Sequence, residues 1–325
     1  MGVLCAGSWM VDFVAAHLPS MPGPGGLVYA PQGIDLRVGG HSANVAIDLA
    51  QLGQLDVTSA GCIGDDVLGR FVEDSLRSSG VMPRPLKLRD IGTAKNVALV
   101  VEGEDKRFIA EFAANTELTP EHVEDTLSEL HPSVFYLGTV GGLKHIDPEL
   151  RRVLKAARDG GAVTVMDVIM PENGWRHLTS AYPYIDFLHC NNMEATGVTG
   201  FTDASRAARQ LTGAGVGVAI VSLGSRGLVA HNGAELVVVP AFDVAEVDPT
   251  GAGDALCAGL IRSISALGVR VPPIVELKEI LLEASAVGAA CVTETGATTS
   301  VTSEKVNTLL RLQGESLKGR IRVTS

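Results

Sequence analysis

Short runs of β-branched and apolar residues alternate with helical patterns over most of the chain. SVFYLG (133–138), AVTVMDV (162–168), YIDFLHCN (184–191) and VGVAIVSLG (216–224) read as strands. None alternates strictly between apolar and polar positions, which is the pattern of strands covered on both faces. Between them, DPELRRVLKAARDGG (147–161), MEATGVTG (193–200), DASRAARQLTGAG (203–215) and VELKEILLEASAVGAACVTE (275–294) carry helical patterns broken by glycines. The opening MGVLCAGSWMVDFVAA reads as a first strand. Such alternation predicts an α/β fold with a mainly parallel sheet and helices on both faces.

Two segments break the rhythm. PSMPGPGGLVYAPQGIDLRVGG (19–40) is rich in Gly and Pro, and TAKNVALVVEGEDKRFIAEFAAN (93–115) has strand patterning on each side of an EGED turn. Together they predict a small accessory β-sheet inserted early in the main domain. It is either a decorated edge of the main sheet or a lid that covers a ligand and excludes water. No repeat, low-complexity tract or linker interrupts the chain. Residues 1–325 therefore read as one domain, with lid segments at about 12–38 and 91–115.

Composition narrows the function. Of 325 residues, 46% are hydrophobic and 19% charged, and the formal net charge is −11 without any long Lys/Arg block. Nucleic acid and anionic membrane surfaces are thereby disfavoured as partners, although an anion can still bind where positive potential is local. The five cysteines (Cys5, Cys62, Cys190, Cys257, Cys291) form no CxxC pair and read as small buried residues in a reducing compartment. The start lacks a basic n-region, and no apolar run reaches the roughly 18 residues of a membrane span. A cytoplasmic location is expected.

Candidate chemistry concentrates in DPTGAGDALCAGL (248–260). If Gly251, Ala252 and Gly253 open a helix over 255–268, their N–H groups lack intrahelical partners. Small side chains and the helix dipole then favour close approach of an anion. Asp254 falls in the first turn and stays ionised there. A carboxylate beside a backbone anion cradle suits phosphoryl transfer, because the acid accepts a hydroxyl proton while the amides stabilise the moving charge. A plain strand-to-helix turn with Asp254 as a cap explains GxGD alone equally well. GxxxxGK[ST] is absent, and no GxGxxG follows the first strand.

A second motif alters that balance. GGHSANVAIDLAQLGQLDVTSAGCIGDDVLG (39–69) pairs a diglycine turn with a helix beginning near Ser42 and Asn44, then a strand and a GDDxxG turn. With DPTGAGDALCAGL it resembles the PfkB/ribokinase family of carbohydrate kinases, from the first strand to about residue 303. The resemblance implies a ribokinase-like three-layer sandwich with a small β-sheet lid, binding ATP and Mg²⁺. It makes Asp254 the catalytic base and Gly251, Ala252 and Gly253 the anion hole.

By the same resemblance, NNMEATGVTG supplies Asn191 and Glu194, the latter holding Mg²⁺ through water. VSLGSRGL places Ser222, Gly224, Ser225 and Gly227 near the nucleotide, with Ser285 and Gly288 beside the adenine. GATTS (296–300) resembles a loop that holds a monovalent cation in some members. Asp248, Cys291, Glu294, Gly296 and Ser300 are the candidate K⁺ set, with Glu294 an unusual charge there. Asp12, Gly39, Gly40, His41, Asn44, Asn115 and Thr139 match or adjoin the sugar contacts. His41 departs from the lysine or small residue often found at its position, and could bind a ligand or pack at the hinge.

The implied protein is an ATP-dependent kinase for a small sugar or sugar acid, and related lids pair into dimers. A nucleoside kinase of the same family and a non-catalytic sensor on the same fold are the alternatives. Asp65 and Asp66 read as a helix-opening turn rather than a metal pair. The eight histidines are dispersed without HExxH or a Cys/His cluster, so no zinc site is expected.

Overall fold

The computed structural model of the chain describes residues 2–104, 107–170, 176–268 and 270–325. Asp105 and Lys106, at the tip of the expected 93–115 hairpin, lie outside them. In chain order the strands are β1 (Gly2–Ala6), β2 (Met10–Leu18), β3 (Ile34–Gly39), β4 (Asp56–Gly64), β5 (Met82–Leu88), β6 (Lys95–Val101) and β7 (Arg107–Glu111). They continue with β8 (Val134–Val140), β9 (Val163–Val168), β10 (Phe187–Asn191), β11 (Val218–Ser222), β12 (Leu228–His231), β13 (Leu236–Val239) and β14 (Arg322–Thr324). The helices are α1 (His41–Leu52), α2 (Val67–Ser78), α3 (Pro120–Leu130), α4 (Leu150–Asp159) and α5 (Asn192–Thr199). After them come α6 (Ala204–Gly213), α7 (Ala252–Leu267), α8 (Ile274–Cys291), α9 (Ser303–Leu309) and α10 (Glu315–Lys318).

Among the described residues, ten strands form one sheet in the order β14-β13-β12-β11-β10-β9-β8-β1-β4-β5. From β11 to β5 every pairing is parallel, while β12, β13 and β14 add an antiparallel edge. Parallel neighbours cannot be joined by tight hairpins, and the crossover helices cover the sheet faces.

Successive strand residues point to opposite sides, and the core divides accordingly. Val3, Cys5, Val134, Tyr136, Val218 and Ile220 pack with residues of α1, α7 and α8. Leu4, Ala6, Phe135, Leu137, Ala219 and Val221 pack on the other face with residues of α3, α4 and α6. The result is the three-layer sandwich expected from strands without polar alternation. All five cysteines are buried thiols. Among the described residues, no helix is long and apolar enough to cross a membrane.

The accessory segments form a second, four-stranded sheet in the order β3-β2-β6-β7. β3 and β7 pair antiparallel with β2 and β6, whereas β2 and β6 run parallel. The lid therefore has its own sheet and is not an edge of the main one. It connects to the core through Gly39 and Gly40, immediately before α1.

Local chemistry sets the element ends. Asp66 caps α2 by accepting from the Gly69 N–H, which is the helix-opening role expected of the GDD turn. Thr119 caps α3 and Asp203 caps α6 in the same way. Helix α7 opens at Ala252, three residues before the start expected from the sequence, because Gly251 adopts φ 82° and turns the chain directly into the helix.

Candidate active site

The DPTGAGD elbow is pinned from below. The Asp248 carboxylate accepts from the Thr250 N–H at 2.9 Å and from the Gly296 N–H at 3.1 Å. A Cβ on Gly251 would lie 2.5 Å from the Ala297 carbonyl oxygen, so only glycine permits this approach. The elbow thus brings the first turn of α7, together with Asp254, between the two sheets; the Ala252 N–H donates to the Pro249 carbonyl at 3.3 Å, and the next two N–H groups have no intrahelical acceptor.

Two cavities meet the elbow. One is lined by Ala252 and Gly253 and by Ser222, Gly224, Ser225, Gly227, Ser285 and Gly288, bringing together the residues expected to contact the nucleotide apart from Gly251, Asn191 and Glu194. Phe242, Val244, Leu256, Ala289 and Val292 give it apolar walls suited to a flat base. The other lies between the lid sheet and the elbow, where Asp12, Arg37, Asn96 and Phe108 face Asp248, Thr250, Gly296 and Ala297.

The lid cavity sets a few polar groups among apolar walls that include Val14, Val38, Ala98, Val100 and Phe108. Asp12 accepts from the Asn96 amide at 3.2 Å. Burial raises its pKa, while that amide and the Arg37 charge pull it back. Gly39 is needed here: a Cβ would sit 2.1 Å from the Asp12 Oδ2. Gly40, at φ 96°, passes so close to the Ser8 carbonyl that its Cβ would lie 2.4 Å away.

Asn115 and Thr139, also expected among the acceptor contacts, are buried and hold the turn before β2. Asn115 accepts from the Trp9 N–H at 2.9 Å, and the Thr139 hydroxyl lies 2.5 Å from that of Ser8.

Asp254 is 7% exposed. Its Oδ2 accepts from the Asn44 amide at 2.8 Å, while Oδ1 is buried without a hydrogen-bond partner. Burial raises the pKa of this carboxyl, opposed by the charge of His41 and reinforced by that of Asp167. His41 directs Nδ1 between two acids, 3.4 Å from Asp167 and 3.6 Å from Asp254, without an aligned hydrogen bond to either.

Behind them, His189 Nδ1 lies 3.1 Å from Asp167, and its Nε2 lies 3.1 Å from the Ser222 hydroxyl. Burial alone would push Asp167 up, but the two imidazoles hold it well below the usual carboxylate range. The His41 imidazole, which burial would depress, is raised to about 10 by Asp254 and Asp167.

Asp167, His189, Arg37 and Asn96 were not legible as functional residues. Asp167 lies next to the C-terminal end of β9 and His189 at the middle of β10, towards the strand ends where open α/β sheets bind ligands. A lone ionisable residue inside each apolar run, VTVMDV and FLHCN, was the available signal. Folding also gathers histidines that are dispersed in sequence. Donor atoms of Asp167, His189 and Cys257, and of His41, Asp167 and Asp254, lie within 4.8 Å of one another. In both sets the Asp167 carboxylate is already shared by imidazoles.

Asn191 and Glu194 form a capping box at α5: Asn191 accepts from the Met193 and Glu194 N–H groups, and Glu194 accepts from the Asn191 N–H at 2.7 Å. The box aims Glu194 towards the Asp167 group. Burial raises its pKa and the Asp167 charge adds to that.

In the 291–300 loop, Asp248, Cys291, Gly296 and Ser300 come together, but Glu294 turns away to Lys305 at 2.7 Å. The Cys291 thiol lies 3.4 and 3.1 Å from the Thr250 and Ala297 carbonyls, the Ser300 hydroxyl lies within reach of those of Ala290 and Cys291, and Arg37 donates to Thr295 at 2.6 Å. One thiol and one hydroxyl hydrogen cannot serve four carbonyls at once, and each carbonyl keeps a second lone pair.

Residues 2–304 match the family described as pfkB family carbohydrate kinase. The chain is 27% identical to fructokinase-1 of Oryza sativa subsp. japonica, over 93% of this chain and 95% of that protein. It is 29% identical to the aminoimidazole riboside kinase of Salmonella typhimurium, over 84% and 87% respectively. Among solved structures, a fructokinase from Xylella fastidiosa with bound ATP superposes with a TM-score of 0.78 at 23% identity, over 96% of this chain and 99% of that one. The DPTGAGD elbow, the first turn of α7 and the lidded cavity stand in one such fold.

Proposed function

We propose, from the premise that this chain belongs to the pfkB family and is an ATP-dependent carbohydrate kinase, that Asp254 activates a hydroxyl of a small sugar or sugar acid for phosphorylation. The observation that carries this reading is the half-tied carboxylate. Asn44 fixes Oδ2, leaving Oδ1 buried without a hydrogen-bond partner in the first turn of α7, whose Ala252 and Gly253 line the first cavity. ATP would occupy the cleft over Ala252 and Gly253, with its base against Phe242, Val244 and Leu256. The acceptor would lie under the lid, its hydroxyls donating to Asp12.

The acceptor O–H bond breaks and its proton passes to Oδ1 of Asp254. The alcohol oxygen bonds to the γ-phosphorus as the bond to the β-phosphate oxygen breaks, releasing ADP. First-turn N–H groups of α7 stabilise charge on the transferred group. Closure of the lid excludes water, which would otherwise compete as acceptor.

Three carboxylates (Asp167, Asp254 and Glu194) converge here on two imidazoles, an acidic surplus that suits a hard cation. Glu194 would hold Mg²⁺ through water, and the ion would neutralise phosphate charge. No step is assigned to K⁺.

An ADP-release assay across sugars, sugar acids and nucleosides tests the reading. Asp254→Asn should lower turnover by a factor of about 10²–10⁴ with the fold intact; near-unchanged turnover would overturn the role of the base. The nucleoside alternative is favoured by Phe108, which lines the lid cavity and could stack on a base. ADP formed with nucleosides alone would select it. The same reading includes a homodimer formed through the lid, whose β3 and β7 edges are unpaired.

A further inference from the structure

The lid is tied to the elbow before α7 through one peptide group. Arg37 on β3 extends its guanidinium from the lid sheet, where Nη1 donates to the Thr295 carbonyl at 2.6 Å and Nη2 to Asp35 at 2.9 Å. The Thr295 carbonyl and the Gly296 N–H belong to the same planar peptide. That N–H donates to Oδ2 of Asp248 at 3.1 Å, and Oδ1 of Asp248 accepts from the Thr250 N–H at 2.9 Å. A rigid amide therefore receives a charged hydrogen bond from the lid at one end and gives one to the elbow at the other. Each bond strengthens its neighbour by polarisation.

The loop is shaped to receive the guanidinium. Gly296 adopts φ 109°, and a Cβ there would lie 1.9 Å from Arg37 Nη1, so only glycine admits the side chain. The Val247 and Asp248 N–H groups both donate to the Val292 carbonyl, at 2.7 and 3.2 Å, which laces the loop to the elbow at its other end. Within the lid, Arg37 stands directly across from Asp12 in the β2–β3 register, and both line the lid cavity.

We propose that Arg37 is a positioning residue that couples closure of the lid over the acceptor to the set of the elbow, through the Thr295–Gly296 peptide. The coupling rests on the reading of the lid cavity as the acceptor site. With the guanidinium seated, β3 is held on the loop, and the loop holds Asp248 and the start of α7. With it withdrawn, the peptide loses its partner on the lid and the elbow loses a point of support. Water can then take the γ-phosphoryl group in place of the alcohol, giving ADP and inorganic phosphate. Nη1 and Nη2 are each engaged by a protein oxygen and Asp35 balances the charge, which favours a latch over a contact to an acidic acceptor.

The test compares Arg37→Met, which keeps an aliphatic stem and removes the donors, with Arg37→Lys. In the ligand-free protein, hydrogen exchange read by mass spectrometry should rise about tenfold in segments 248–256 and 293–299 for Arg37→Met, and stay unchanged in β9 and β10. Arg37→Lys, whose ammonium can still donate to Thr295, should return both segments towards the native rate. With ATP and the acceptor that releases most ADP, Arg37→Met should lower kcat about tenfold and change the acceptor KM by less than about threefold. It should also release inorganic phosphate in excess of the native protein. Native exchange at the elbow in Arg37→Met would overturn the latch. A raised acceptor KM with unchanged phosphate release would overturn it too, and make Arg37 an acceptor contact. If Arg37→Met does not fold by circular dichroism, Arg37→Gln, too short to reach Thr295, decides by the same readings. The exchange measurement needs no turnover, so failure of the base, read from Asp254→Asn, stays distinct from failure of the latch.

Discussion

Asp12 and Gly39 show how one atom can decide a site. The Asp12 Oδ2 occupies the space a Gly39 side chain would fill, so the carboxylate and the diglycine require each other. A charged hydrogen bond to ligand hydroxyls contributes about 1.5–3 kcal/mol. Asp12→Ala should therefore raise the acceptor KM by about 10–100-fold while leaving the KM for ATP unchanged, as read from initial rates with each substrate varied. Asp254, Gly251 and Gly39 could be read from the sequence because each stands in a contiguous motif, although their partners in space, Asn44, Ala297 and Asp12, are distant in the chain. Asp167 and His189 could not, since what distinguishes them is a partner from another strand 22 residues away. Glu294 was placed in the cation loop by its position, but Lys305 on α9 draws it outward.

At the scale of elements, the strands and helices with strong periodicity were legible in type, and their ends moved by a few residues. Helix α7 began earlier than expected because a glycine in the left-handed region needs no preceding turn. β13 is a short β-branched run, LVVV, that pairs antiparallel with its sequence neighbour β12, whereas β14 is made a strand by pairing with the distant β13. The packing of α7 on α8 depends on Gly259: its Cβ would approach the Ala284 Cα and Val287 Cγ2, both at 2.8 Å. Gly259→Val should destabilise the fold by about 1–3 kcal/mol through forced separation of the two helices. Urea unfolding would show this as a lower midpoint at an unchanged slope.

On the scale of the whole molecule, the lid carries several uncovered apolar side chains. Leu27, Tyr29, Ile34, Leu36 and Ile109 are exposed on or beside its sheet. Exposed apolar side chains next to open strand edges favour association. The expected homodimer should appear as twice the 33.9 kDa chain mass in light scattering at micromolar concentration. Ile109→Glu should shift that mass to the monomer, whereas a monomeric native protein would remove the dimer. The presence of a lid was legible from the break in strand–helix rhythm, but its apolar outer face depends on which side each strand residue points.

The two cavities touch the elbow from different sides, one along Ala252 and Gly253, the other along Asp248 and Thr250. On the proposed reading, donor and acceptor approach a single phosphorus from opposite directions and the group passes directly between them. One in-line displacement of this kind reverses the handedness of the phosphorus centre. An isotopically chiral phosphate would leave as the mirror configuration of the one that entered.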